Sequence, residues 1–159
     1  MSATENPKAG TRGAKAFYLT PAGFKIQRGV HTFWYRLTGG MIGHRIGHIT
    51  MMLLTVTGAK SGLPRTTPLN YRRDGDNFIV VASKGGVADH PIWYKNLLKN
   101  PEAEVQAGRE KVRVRARTAT SEEKPRLWQL MLGAYAGYEG YQKSTDREIP
   151  VVILEPIAR

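Results

Sequence analysis

Alternation of apolar and polar residues is strongest after residue 49 and predicts a series of short β-strands. In the segment KVRVRARTA, Val112, Val114 and Ala116 alternate with arginines, which is typical of a strand with one buried and one solvated face. The pair Asp74-Gly75 between two apolar runs indicates a hairpin. The six predicted strands are 51–57, 65–73, 77–83, 102–107, 111–119 and 149–154.

Apolar residues spaced three and four apart predict three helices. The first runs from Thr20 to Leu37 and has a basic polar face. The second begins near Pro91 and stops before Pro101, and the third opens near Ser121. Because hairpins dominate, we expect a mainly β fold with flanking helices, a small barrel of about six mostly antiparallel strands.

The chain has 159 residues, enough for one domain and a short extension. We expect 1–19 to be a flexible basic arm, 20–48 an amphipathic helix and its connection, and 49–159 the barrel domain. No apolar run reaches the roughly 18 residues of a membrane span. The first residues lack the apolar stretch of a secretory signal, so a cytoplasmic protein is expected.

Several classes of site are excluded by residue type. The chain has no cysteine, which removes thiol catalysis and cysteine-based metal centres. Its four histidines form no HExxH pair, so no metal site is expected. The nucleophile elbow GxSxG of a serine hydrolase is also missing.

Positive charge is concentrated in the first half of the chain. The 24 Lys and Arg outnumber 13 Asp and Glu, for a net charge of +11. Residues 1–73 contain 11 of the basic residues and a single acid, Glu5, whereas 74–159 contain 13 basic and 12 acidic residues. This asymmetry indicates an anionic partner, although an ordinary solubilising surface would look the same. No nucleic-acid-binding signature accompanies it, so nucleic acid is not the expected partner.

Two glycine-containing loops could bind such an anion. TGAKSGLPR lies between the first two strands and ASKGG follows the third. Backbone N–H groups, hydroxyls and cations at these places suit a phosphate or another anionic ligand. Neither GxxxxGK[ST] nor GxGxxG occurs, so no P-loop or Rossmann site is indicated. The alternative is that both loops are plain connections with solvated lysines.

Aromatic residues form a second candidate group. Trp93 and the series Tyr135, Tyr138 and Tyr141 offer flat faces for a planar ring. A tyrosine hydroxyl can also donate a proton or a hydrogen bond to a developing oxyanion. For a single aromatic residue, the alternative is that it packs in the core. Nearby glycines weaken a helix, so a mobile lid is a further alternative for the tyrosine segment.

Three segments together resemble a known family. They are TGAKSGLPR, ASKGGVADHPIWYKNLLKNP and TDREIPVVILEP, in this order. The resemblance covers about residues 49–156 and is to the deazaflavin-dependent nitroreductase family, which includes actinobacterial quinone reductases that use coenzyme F-420. It implies a split β-barrel of the flavin-reductase or FMN-binding-like type.

The resemblance also implies roles for individual residues. The phosphate and acidic tail of coenzyme F-420 would meet Lys60 and Arg65. The residues implied to bind the whole cofactor are Lys60, Ser61, Arg65, Ser83, Lys84, Gly85, Pro91, Ile92 and Trp93. The catalytic, substrate-side residues would be Tyr135, Tyr138 and Tyr141. Some nitroimidazole-reducing members have an aromatic residue where this chain has Asn70, so their substrate is not carried over.

The expected function is therefore hydride transfer from reduced coenzyme F-420 to a quinone, an activated enone or a nitroaromatic acceptor. Tyr138 is expected to hydrogen-bond the acceptor or relay its proton. An FMN-dependent enzyme of the same fold is the main alternative, and a basic nucleic-acid-binding module is a weaker one. The helix in 20–48 would either pack on the barrel or contact the inner face of an anionic membrane.

Overall fold

Antiparallel pairing joins all the strands of this computed structural model, which describes residues 45–46 and 49–158. The eight strands of those residues are β1 (Arg45–Ile46), β2 (Ile49–Thr57), β3 (Pro64–Asn70), β4 (Arg72–Asp74), β5 (Asn77–Val81), β6 (Glu102–Ala107), β7 (Glu110–Thr118) and β8 (Val151–Pro156). Their order is β1-β2-β6-β7-β8-β5-β4, and β3 pairs with β2.

A break at Tyr71 closes this sheet into a barrel. The chain predicted as one strand over 65–73 forms β3, which pairs with β2, and then β4, which pairs with β5 on the other side. At the break, the backbone N–H of Tyr71 donates to the carbonyl of Thr50 at 3.1 Å. One segment thus lies beside β2, near one end of the strand order, and forms β4 at the other end. The predicted small antiparallel barrel is confirmed.

Three α-helices and one short turn of 3-10 helix accompany the strands in the described residues. They are α1 (Ile92–Lys99), α2 (Lys124–Leu132), α3 (Gly137–Lys143) and the 3-10 turn (Lys84–Gly86). Two of the three tyrosines, Tyr138 and Tyr141, lie on α3, and Tyr135 precedes it. The arm over 1–19 and the helix predicted from Thr20 lie outside the described residues. No helix of the described part is long and apolar enough to cross a membrane.

The residues of α1 explain its limits. The carbonyl of Pro91 accepts hydrogen bonds from the N–H groups of Tyr94 and Lys95. Proline has no N–H of its own, and none is needed at the start of a helix, where the first N–H groups have no intrahelical acceptor. The helix ends at Asn100, which precedes Pro101 and has an extended backbone. Trp93 and Tyr94 face the barrel and are buried there.

Two hydrophobic clusters lie on opposite faces of β5. Phe78 and Val80 point into the barrel interior, while Ile79 and Val81 point outward. Successive side chains of a strand point to opposite faces of the sheet, and this alternation separates the two sets. The outer cluster includes Leu127 and Met131 of α2 together with Tyr138 of α3, as well as Ile149, Val151 and Ile153. Burial on the outer face of the sheet therefore anchors the helix that carries the tyrosines.

Candidate functional site

The turn between β2 and β3 is held against α1. Inside it, the N–H of Gly62 donates to the carbonyl of Gly58 at 2.8 Å, and the N–H of Gly58 donates to the carbonyl of Leu63 at 2.9 Å. The N–H of Ala59 donates to Oδ1 of Asn96 on α1 at 3.0 Å. The predicted anion loop is thus a hydrogen-bonded turn fixed to the helix that begins after Pro91.

Two cations at this turn, Lys60 within it and Arg65 at the start of β3, have no partner among the described residues. Lys60 and Arg65 are exposed, and neither side chain forms a hydrogen bond or an ion pair with another residue in the described part of the chain. The hydroxyl of Ser61 accepts from the N–H of Leu63 at 3.3 Å, so this serine shapes the turn. Both charges are therefore available to an anionic ligand.

The second loop has an unusual backbone. Lys84, Gly85 and Gly86 have φ angles of 48°, 67° and 77°, all in the left-handed region. That conformation is strained for a lysine and ordinary for glycine. A Cβ built on Gly85 would meet no heavy atom within 4 Å, so this side of the loop is open. The loop can therefore let a ligand approach the backbone closely at Gly85.

Gly86 instead faces the end of α3. A Cβ at this position would lie 2.1 Å from Oγ of Ser144 and 2.6 Å from the carbonyl oxygen of Tyr141. Ser144 Oγ also donates to the carbonyl of Gly86 at 3.3 Å. Only a glycine allows this approach, which brings the second loop and the tyrosine helix side by side.

Arg147 ties the second loop down, and the sequence analysis did not single it out. Its guanidinium donates to the carbonyls of Ser83 at 2.7 Å, Val87 at 2.8 Å and Ala82 at 3.3 Å. Its Nη1 also lies 3.1 Å from Nδ1 of His90. Burial and the neighbouring Arg147 lower the pKa of His90, which favours a neutral ring that accepts this bond. The sequence signal that could have identified Arg147 is its place in TDREIPVV, part of one of the three segments that resemble the family.

Lys84 is less available to a ligand than the two cations of the first turn. Its Nζ lies 3.5 Å from Asp89, and the same carboxylate lies 2.6 Å from Nζ of Lys95. The hydrogen bond from Lys95 and the charges of both lysines lower the pKa of Asp89, which stays ionised beside them. Part of the charge of Lys84 is therefore already balanced.

The three residues expected beside the cofactor ring differ in exposure. Pro91 is buried, Ile92 is 71% exposed and Trp93 is only 7% exposed. Trp93 packs in the barrel core with its ring centre 6.1 Å from that of Tyr94. Ile92 thus offers an exposed apolar surface at the start of α1, whereas Trp93 belongs to the core.

The tyrosines lie together, as their spacing predicted. The ring centres of Tyr135, Tyr138 and Tyr141 are separated by 5.3 to 6.3 Å. Trp128 on α2 is 6.2 Å from Tyr138. The hydroxyls of Tyr135 and Tyr141 are 3.1 Å apart at the more exposed side of the group. These tyrosines therefore form one aromatic cluster, named here the tyrosine cluster.

Tyr138 is the buried member of the tyrosine cluster. Only 6% of its surface is exposed, and its hydroxyl oxygen accepts a hydrogen bond from Nδ2 of Asn70 at 3.3 Å. Burial raises the pKa of Tyr138 to about 12, although the Asn70 bond works in the opposite direction. The phenol is therefore neutral around pH 7 and can donate a hydrogen bond rather than act as a base.

The residue types of the site suit an organic ligand rather than a metal ion. No group of three or more His, Cys, Asp or Glu that could hold a metal is present in the described ranges 45–46 and 49–158. Unpaired cations, an open glycine backbone and neutral phenols instead fit a ligand with an anionic end and a planar end.

Comparison with known proteins identifies such a ligand. A family model for F420H(2)-dependent quinone reductases matches residues 27–156. An F420H(2)-dependent quinone reductase of Mycobacterium tuberculosis is 46% identical over 129 residues, which cover 79% of this chain and 87% of that protein.

Solved structures agree with this match. An F420-H2 dependent reductase is 43% identical with a TM-score of 0.62, over 66% of this chain and 93% of the other. A domain-swapped dimer is 35% identical with a TM-score of 0.66, over 86% of this chain and all of the other. The expected split β-barrel of FMN-binding-like type is thereby confirmed. The chain belongs to the F420H(2)-dependent quinone reductase family and is a reductase that depends on coenzyme F-420.

Proposed function

We propose that this reductase accepts quinones, activated enones and nitroaromatic compounds, and that their reduction takes place between the second loop and the tyrosine cluster. The observation that carries the proposal is the close approach of Gly86 to Tyr141 and Ser144. It brings the second loop against the end of α3, the helix that carries Tyr138 and Tyr141. Such an arrangement supports one ligand held by the loop and a second ligand held by the tyrosines.

The residues of the two loops fit coenzyme F-420. When bound, the reduced deazaflavin supplies a hydride to the acceptor. Lys60 and Arg65 would hold the phosphate and the acidic tail, because they are exposed cations without a described partner. Ser61 shapes this turn by accepting from the N–H of Leu63. The two loops would then bind opposite ends of the cofactor.

The ring end of the cofactor would lie along Ser83, Lys84 and Gly85. The open side of Gly85 leaves room for a flat ring, and Lys84 adds a cation nearby. Ile92 would contact the ring with its exposed side chain, while Pro91 and Trp93 fix the start of α1 from beneath. These contacts orient the ring and exclude water from one of its faces.

Tyr138 would act on the acceptor. Hydride addition to a quinone or an enone leaves negative charge on oxygen, and a neutral phenol can donate a hydrogen bond to that oxygen. Tyr135 and Tyr141 would line the more exposed side of the same space, where their hydroxyls already contact each other. Transfer of one proton from solvent or from these phenols would complete the two-electron reduction.

The cofactor assignment predicts the effect of removing two charges. The Lys60→Ala/Arg65→Ala variant should bind coenzyme F-420 about ten- to a hundredfold more weakly, since each exposed ionic contact contributes about 1 kcal/mol. The loss should be larger at low salt, where charges are screened less. Fluorescence titration measures it, and Lys111→Ala/Arg113→Ala removes the same charges from β7 as a control. Unchanged affinity in the first variant would contradict the assignment.

The hydrogen-bonding role predicts a selective defect in Tyr138→Phe. Its kcat with a quinone should fall about a hundredfold, the range of one oxyanion donor, while affinity for coenzyme F-420 stays the same. Single-turnover reduction with a quinone, an enone and a nitroaromatic compound checks it. Tyr94→Phe removes another buried tyrosine hydroxyl, bonded to Thr118, and serves as the control. Full activity of Tyr138→Phe with all three acceptors would exclude the role.

Arg147 should affect cofactor binding through the second loop. Arg147→Gln would lose most of the bonds to the carbonyls of Ala82, Ser83 and Val87, and the strained backbone at Lys84 would relax. We expect affinity for coenzyme F-420 to fall about tenfold or more, by titration. Arg126→Gln, which loses an exposed pair with Asp74, is the matched control. Equal affinities in the two variants would show that the loop does not need Arg147.

Residues 20–48, which lie almost entirely outside the described residues, supply a separate proposal of location. Their basic and apolar faces would place a cytoplasmic enzyme at the inner face of an anionic membrane, where lipid quinones reside. Co-sedimentation with anionic vesicles at low salt should then retain the full chain, and neutral vesicles should not. Failure to sediment with anionic vesicles would leave packing on the barrel as the role of this segment.

A further inference from the structure

Asn70 connects the barrel to the tyrosine cluster. It is the last residue of β3, and its Nδ2 donates to the hydroxyl of Tyr138 on α3, 68 positions later in the chain. Its other polar atom, Oδ1, is buried and has no hydrogen-bond partner in the part of the chain that the structure describes. An unpaired buried carbonyl destabilises the fold, so a purely structural role does not explain an asparagine at this position.

The direction of this bond decides what the phenol can do. A tyrosine hydroxyl has one hydrogen and an oxygen that can accept. Because the oxygen of Tyr138 accepts from Asn70, its hydrogen is not used in that bond. The structure gives the Tyr138 hydroxyl no second hydrogen-bond partner among the described residues. The hydrogen is therefore free for a bound molecule.

A carboxamide is suited to this task in a way that other side chains are not. A carboxylate at the same place would accept from the phenol and bind its hydrogen, whereas an aliphatic side chain would leave the hydroxyl without direction. The ring of Tyr138 is already fixed by Trp128, Tyr135 and Tyr141. The remaining freedom is the rotation of the hydroxyl hydrogen about the C–O bond. The hydrogen bond from Nδ2 of Asn70 to the phenol oxygen determines the direction in which that hydrogen points.

We propose that Asn70 is a positioning residue: by donating to the oxygen of Tyr138, it keeps the phenolic hydrogen directed at the electron acceptor. This inference rests on the proposed role of Tyr138 as the hydrogen-bond donor. It predicts that the hydrogen-bonding character of the side chain at position 70, donor or acceptor, matters more than its size.

Asn70→Asp tests the direction of the bond because aspartate has the shape of asparagine but only accepts when ionised. Because burial raises the pKa of a carboxyl group, kcat is followed with rising pH. Once the new carboxyl is ionised, kcat should be lowered about as much as in Tyr138→Phe, with affinity for coenzyme F-420 unchanged. Asn70→Leu should lose less activity, since the hydrogen stays free. It should also melt at or above the temperature of the wild type, because the unpaired Oδ1 is gone.

A double-mutant cycle shows whether Asn70 acts through Tyr138. In the Tyr138→Phe background, Asn70→Asp should cause no further loss of kcat. The inference is overturned if Asn70→Asp keeps wild-type activity, since the asparagine would then already be accepting from the phenol. It is also overturned if Asn70→Asp costs as much without the Tyr138 hydroxyl as with it.

Two other outcomes remain informative. Full activity of Tyr138→Phe on its own would refute the proposed role of Tyr138, and a positioning role for Asn70 would fall with it. If Asn70→Asp does not fold, the cycle of Asn70→Leu with Tyr138→Phe answers the same question. The Leu substitution should then cost nothing in the Phe background, and an equal cost in both backgrounds would overturn the inference.

Discussion

The close contact between Gly86 and the end of α3 is the constraint on which the site depends. The second loop and the end of α3 come from segments more than fifty residues apart, and they meet where a Cβ at Gly86 would lie 2.1 Å from Oγ of Ser144. Arg147, just beyond this contact, holds the same loop through three carbonyls. The expected cofactor loop and the expected acceptor residues are therefore one packed unit.

The cations near the site differ in whether a neighbouring carboxylate balances their charge. Lys60 and Arg65 keep their charges unpaired among the described residues, whereas Lys84 shares Asp89 with Lys95. All three arginines of β7 are likewise paired, for example Arg117 with Glu123 and Glu155. The net charge of +11 therefore says little about the ligand by itself. The two unpaired cations beside a hydrogen-bonded turn are more specific evidence for an acidic cofactor tail.

Much of the fold follows from sequence because its elements are local patterns. Alternation and turn residues predicted most of the strands. The three-residue spacing of the tyrosines did not predict a helix, and in the structure Tyr138 and Tyr141 lie on α3 whereas Tyr135 precedes it. The break at Tyr71 was not predictable from local pattern, since it depends on pairing with two different strands. Arg147 was missed because an arginine near a turn usually faces solvent, and its acceptors lie about sixty residues earlier in the chain. The bond from Asn70 to Tyr138 is equally remote in sequence.

The central claim is that these loops form a site for coenzyme F-420 rather than for another redox cofactor. The most direct measurement is a titration of the purified full chain with coenzyme F-420, FMN and NADPH side by side. Coenzyme F-420 should show saturable binding that is much tighter than binding of either other cofactor. Protein that purifies yellow and binds FMN in preference to the deazaflavin would contradict it.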